Sequence, residues 1–113
     1  MMTQIRPSEL AAWLVTARAH GAPVVLDVRE PSELRVASVQ ADGFELLTIP
    51  MSDIPARQNE LDPEQPIACL CHHGRRSLQV AAFLQAQGFA HVANISGGID
   101  AWSIELDPAI PRY

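Results

Sequence analysis

Lysine is absent from this sequence: all eight of its strongly basic side chains are arginine. That removes Schiff-base chemistry and the lysine of a phosphate-binding P-loop. Cysteine is scarce, with only Cys69 and Cys71. Two cysteines separated by one residue of extended chain sit near the limit of disulfide geometry, so free thiols are expected and a structural bridge is not. Aromatic residues make up 5% and charged residues 19% of the chain. No apolar run is long enough for a membrane span or the apolar segment of a secretory signal, so no membrane association is expected and the expected compartment is the cytoplasm. What remains is the balance of an ordinary globule, and residues 1–113 read as one domain large enough to bury a core without staples.

The net charge of -5 argues against a nucleic-acid partner. The distribution is more informative than the total. All thirteen carboxylates lie outside Gln65 to Ile99, while that window contains His72, His73, Arg75, Arg76 and His91. A locally cationic stretch on an acidic protein suits a small anion.

Helical and strand patterns alternate along the chain. Pro7, then Leu10, Trp13, Leu14 and Ala17, then Gly21, predict a helix of about three turns. Val24 to Val28 reads as a buried strand and Phe44 to Ile49 as a second, with a turn or short helix from Pro31 to Leu34 between them. Ile54 to Leu61 has weak helical spacing. Ile67 to Leu70 is apolar throughout, as a central parallel strand should be. Ser77, Val80, Ala81, Phe83, Leu84 and Gly88 predict an amphipathic helix. His91 to Ile95 predicts another strand, Gly97-Gly98 opens a short helix through Trp102, and Pro108 and Pro111 mark a surface tail. The expected fold class is therefore α/β, with a mainly parallel central sheet flanked by helices on both faces.

Cys71 falls where a strand gives way to a helix, the junction at which ligands bind in open α/β sheets. A helix N-terminus and two arginines favour a thiolate or a bound oxyanion there, and such surroundings can lower a cysteine pKa from about 8.5 into the range ~3.5–7.5. Gly74 permits a positive φ, so that successive N–H groups point inward around the sulfur. Arginines in a first helical turn oppose the macrodipole and call for an anionic partner. For Arg76 the candidate is Asp27 at the end of the neighbouring strand, which leaves Arg75 at the rim facing substrate.

Plainer readings stand beside these. Cys71 alone could be an inert buried thiol. Cys69, inside an apolar strand, reads as a small core residue. His72 and His73 could be metal ligands, but they are too close in sequence to converge and no second ligand cluster exists, so no metal is expected. His20 reads as a histidine at a helix C-terminus and His91 as one at a strand edge. Trp13 and Trp102 read as packing aromatics.

Three segments together resemble single-domain rhodaneses, the thiosulfate sulfurtransferases and their relatives. These are Leu26-Asp27-Val28-Arg29-Glu30-Pro31 with Glu33, the loop Cys71-His72-His73-Gly74-Arg75-Arg76-Ser77, and Gly97-Gly98-Ile99-Asp100-Ala101-Trp102. The resemblance implies a rhodanese-like fold in which Cys71 accepts a sulfane sulfur from thiosulfate or a persulfide and passes it, as a Cys71 persulfide, to cyanide, a thiol or a protein acceptor, with no cofactor. It makes His72, His73, Gly74, Arg75, Arg76 and Ser77 the substrate-binding loop, with Asp27 and Arg29 in structural support. A six-residue loop from Cys71 to Arg76 is the length typical of sulfurtransferases, whereas related phosphatases have one residue more. A catalytically silent binding module and a small cysteine phosphatase or arsenate reductase are the alternatives. Where many relatives have His-Ile-Pro-Gly-Ala, this sequence reads Ala37-Ser38-Val39-Gln40-Ala41-Asp42-Gly43. Histidines at the second and third loop positions imply a rim charge that grows as pH falls.

Overall fold

The computed structural model describes residues 2–113. Its five strands, β1 (Thr3–Ile5), β2 (Val24–Asp27), β3 (Glu45–Thr48), β4 (Ile67–Leu70) and β5 (Val92–Ile95), form one sheet in the order β1-β5-β4-β2-β3. Every neighbouring pair is parallel. The helices are α1 (Leu10–Ala17), α2 (Pro31–Val36), α3 (Ile54–Arg57), α4 (Arg75–Ala86) and α5 (Gly98–Glu105), with short 3-10 turns at Pro7–Glu9, Met51–Asp53 and Gln58–Glu60. None of these helices is long and apolar enough to cross a membrane.

The central strands β2, β4 and β5 are buried along their whole length, which is why they read as continuous apolar runs with no polar alternation. The pleat sends successive residues to opposite faces. Ile67 and Cys69 join a core with Ile54, Val80, Ala81 and Leu84 on the side of α3 and α4. Ala68 and Leu70 join the core with Leu10, Leu14, Ile99 and Trp102 on the side of α1 and α5. On α4 the buried residues are Ser77, Val80, Ala81 and Leu84, one stripe at helical spacing.

Several boundaries differ from the expectations. β1 was not foreseen: three residues, two of them polar, carry no periodic signal, and the strand exists because its backbone completes the sheet edge beside β5. The first predicted helix divides into a 3-10 turn at Pro7–Glu9, where Arg6 N–H donates to Glu9 at 2.7 Å, and α1. The weak pattern over Ile54 to Leu61 resolves into one turn of α-helix followed by a 3-10 turn. α4 begins at Arg75, two residues before the apolar stripe, because Gly74 at φ 100° turns the chain directly into the helix.

The chain after β2 leads to β3 on one side of the sheet, and the chain after β4 leads to β5 on the other. The connections therefore diverge between β2 and β4, leaving a crevice beyond their carboxyl ends. Asp27 ends one strand and Cys71 follows the other.

Candidate functional site

Cys71 continues the alternation of β4 onto the α4 side, one residue past the strand. Its side chain is buried, the Gly74 N–H donates to its sulfur at 3.0 Å, and the Ser77 hydroxyl oxygen lies 3.2 Å from that sulfur. The loop folds around the sulfur because its carbonyls are held outward. Ile99 N–H donates to the Cys71 carbonyl at 2.9 Å and Asp100 N–H to the His72 carbonyl at 3.2 Å, so the start of α5 takes both. This approach requires glycine at 98, where φ is 59° and an added Cβ would lie 2.3 Å from the His72 oxygen. With the carbonyls turned away, the Gly74 N–H reaches the sulfur and the α4 N-terminus starts directly after it, surroundings that favour an anion.

A shallow cavity of about 240 Å³ opens here, lined by Cys71, His72, His73, Arg75 and Arg76. A larger cavity, about 400 Å³, lies between α1 and α5 and is lined by Leu14, Phe44 and Trp102 among others. Neither a cysteine nor a histidine lines it.

The two arginines are separated by their partners. Arg76 makes a two-pronged ion pair with Glu33 of α2, at 2.7 and 2.8 Å. Its guanidinium holds the Glu33 carboxyl down to about 2, and Glu33 in turn raises Arg76. The expected pairing of Arg76 with Asp27 is therefore wrong. Asp27 is already occupied by Arg29, which folds back two residues and reaches both carboxylate oxygens at 2.8 to 3.1 Å in a fully buried pair. Glu33 wins Arg76 because α2 presents it toward the first turn of α4, with Glu33 also closing the capping box on Glu30. Arg75 is exposed and, among the described residues, forms no ion pair.

The rim is aromatic. His73, His72 and Tyr113 form a stack with ring centroids 3.9 and 3.8 Å apart. The Tyr113 hydroxyl accepts from Arg29 at 2.9 Å and donates to Glu33 at 2.9 Å, so the tail beyond α5 is tied to the site. Burial pushes the His72 imidazole down, with the adjacent His73 acting in the same direction. The rim charge expected to grow with falling pH is thus delayed at His72. Sequence reasoning missed Tyr113 and Asn94, whose side chain meets Ser77 and Gly74. Asn94 was hidden in an apolar strand pattern, where a single polar residue among Val92, Ala93 and Ile95 was the only signal.

Cys69 is a contrasting thiol. Burial pushes it up to about 12, with Cys71 adding to the effect. His20 and His91 stack on each other at 3.9 Å, away from the loop. The segment Ala37 to Gly43 is packed in its own way: Ala37 and Val39 are buried, and the Ala37 carbonyl accepts from Arg29 at 2.8 Å.

The chain matches known proteins over most of its length. Residues 10–105 match the rhodanese-like domain family. A sulfurtransferase of Allochromatium vinosum is 34% identical over 80 residues, covering 71% of both chains. The chloroplastic rhodanese-like/PpiC domain-containing protein 12 of Arabidopsis thaliana is 44% identical over 91 residues, which is 79% of this chain and 30% of that protein. The crystal structure of a rhodanese-related protein from Thermoplasma volcanium superposes with a TM-score of 0.77 at 29% identity, covering 98% of this chain and 99% of that one. The chain belongs to the rhodanese-like family, in which relatives of similar length are named sulfurtransferases.

Proposed function

We propose that the chain is, as one domain, a rhodanese-type sulfurtransferase that moves sulfane sulfur through a persulfide on Cys71. The observation that carries this is the cradle around the Cys71 sulfur, with the Gly74 N–H at 3.0 Å and a helix start and two arginines around one cavity. A Cys71 thiolate attacks the outer sulfur of thiosulfate, forming an S–S bond while the sulfur–sulfur bond of the donor breaks and sulfite leaves with the electron pair. The Cys71 persulfide then gives its terminal sulfur to a nucleophilic acceptor and the thiolate is restored. Charge balances in both steps without cofactor or oxidant. The Gly74, Arg75 and Arg76 donors stabilise the developing charge on the leaving oxyanion, as preorganised donors do in acyl transfer.

Thiosulfate or a persulfide is the proposed donor, and a thiol, cyanide or a protein the proposed acceptor. A relative named a putative sulfur carrier protein supports the class of partner. Two free thiols fit a reducing compartment, and a cytoplasmic setting is proposed. The six-residue loop supports sulfur transfer over a phosphatase reading. The test is thiocyanate formation from thiosulfate and cyanide by wild type and Cys71→Ser. Turnover by wild type alone is expected, and a folded wild type that never carries sulfur would favour the silent binding module.

A further inference from the structure

Ser77 has one hydroxyl proton and two acceptors within reach: Asn94 Oδ1 at 2.6 Å and Cys71 Sγ at 3.2 Å. It can serve only one of them at a time. The orientation of the Asn94 amide is fixed, because its nitrogen lies 3.1 Å from the Gly74 carbonyl, a group that only accepts. The Asn94 nitrogen also donates to Gln4 Oε1 at 3.1 Å. Asn94 therefore turns its oxygen toward Ser77 and draws the hydroxyl proton along the shorter contact. That leaves a lone pair of Ser77 Oγ facing the Cys71 sulfur, an arrangement suited to accepting from an S–H and unsuited to a thiolate.

We propose that Asn94 is a positioning residue that restrains ionisation of Cys71 through the Ser77 hydroxyl. This rests on Cys71 being the nucleophile and concerns how its reactivity is set. Two groups act on the sulfur in opposite senses: the Gly74 N–H favours the thiolate, and the Ser77 oxygen, held by Asn94, favours the thiol. When Cys71 ionises its proton leaves to solvent and the Ser77 hydroxyl swings to the sulfur, a charge-assisted bond. Asn94 Oδ1 is then left without a donor at a site 1% exposed, and that loss opposes the change. The other charged or titratable groups around Cys71 are His72, His73, Arg75 and Arg76 on the loop and α4, Glu33 on α2, Asp27 at the end of β2 with Arg29 just after it, Asp100 on α5, Tyr113 stacked on His72, and Cys69 on β4. None of them hydrogen-bonds to Asn94, whose side-chain partners are Ser77, Gly74 and Gln4.

The test is the pH dependence of Cys71 alkylation by iodoacetamide, followed by intact mass, in wild type, Asn94→Ala, Ser77→Ala and the double variant. Asn94→Ala frees the hydroxyl to donate, so the midpoint should fall by roughly one pH unit. In the Ser77→Ala background the Asn94→Ala change should leave the midpoint where it was. An unmoved or raised midpoint in Asn94→Ala, or a fall that persists without Ser77, would overturn the proposal. Should Asn94→Ala not fold, the wild-type infrared S–H band that disappears on alkylation decides the matter. It should lie at a hydrogen-bonded frequency in wild type and shift to the free frequency in Ser77→Ala, and a free band in wild type overturns the proposal. Alkylation needs no sulfur donor, so failure of thiocyanate formation would count against the proposed function and leave this result standing.

Discussion

Cys69 and Cys71 are two residues apart, point to the same side of the sheet and are both buried. Their surroundings nonetheless differ in kind. Cys69 lies within β4, whose backbone groups are taken by β2 and β5, and its neighbours are apolar. Burial there penalises the charged form with nothing to offset it. Cys71 stands one residue past the strand, where the ladder has ended and the Gly74 N–H and the Ser77 hydroxyl reach its sulfur. Depth of burial is the same in the two places. The availability of donors not spent on the sheet is what separates a packing thiol from a candidate nucleophile.

That comparison can be broken most severely at Gly98. Gly98→Ala would drive a Cβ into the Cys71 and His72 carbonyls, at 2.5 and 2.3 Å, so either the loop or α5 must move. A loss of ~3 kcal/mol or more is expected, measured by denaturant unfolding, together with loss of Cys71 reactivity in whatever remains folded. An unchanged unfolding midpoint would show that the loop is not held by this approach.

Cys69→Ser tests the other half. It places a hydroxyl in an apolar strand interior and should cost ~1–3 kcal/mol while Cys71 alkylation and sulfur transfer continue. A variant of normal stability but reduced transfer would mean that Cys69 takes part in the chemistry.

The Arg76 to Glu33 pair sharpens the comparison through pH. Glu33 is lowered from 4.5 to about 2, so its contribution is present above pH 4.5 and is lost as pH falls toward 2. Arg76 is about one third exposed, which screens the pair and leaves ~1 kcal/mol of acid-sensitive stability. Glu33→Gln should flatten the stability profile across that window, as followed by thermal unfolding at several pH values. A profile identical to wild type would place the acid sensitivity elsewhere.

Arg75→Ala should act on the handling of thiosulfate and leave stability alone, because Arg75 is exposed and makes no ion pair among the described residues. The KM for thiosulfate should rise roughly tenfold with Tm unchanged, the loss of one charge-assisted contact. A fall in Tm without a change in KM would reverse its role with that of Arg76.

The parallel α/β architecture and the place of Cys71 at a strand-to-helix junction were legible in the sequence, because buried strands and an amphipathic helix leave strong periodic patterns. Pairings between side chains were not. Asp27 could have met either Arg29 or Arg76, and only the position of α2 beside α4 assigns Glu33 to Arg76. The aromatic rim depends on Tyr113 returning to stack on His72, a contact across 41 positions that no local pattern encodes. Asn94 was invisible for a related reason: its meaning comes from Ser77 and Gly74, which reach it from another element.

The most direct test of the central claim is to locate the transferred sulfur. Cys69→Ala and Cys71→Ser are each incubated with thiosulfate, and their intact masses are compared before and after addition of cyanide. The account predicts that Cys69→Ala gains the mass of one sulfur atom and loses it to cyanide, while Cys71→Ser stays unmodified. Persulfide formation on the Cys71→Ser protein, or none on folded Cys69→Ala, would contradict it.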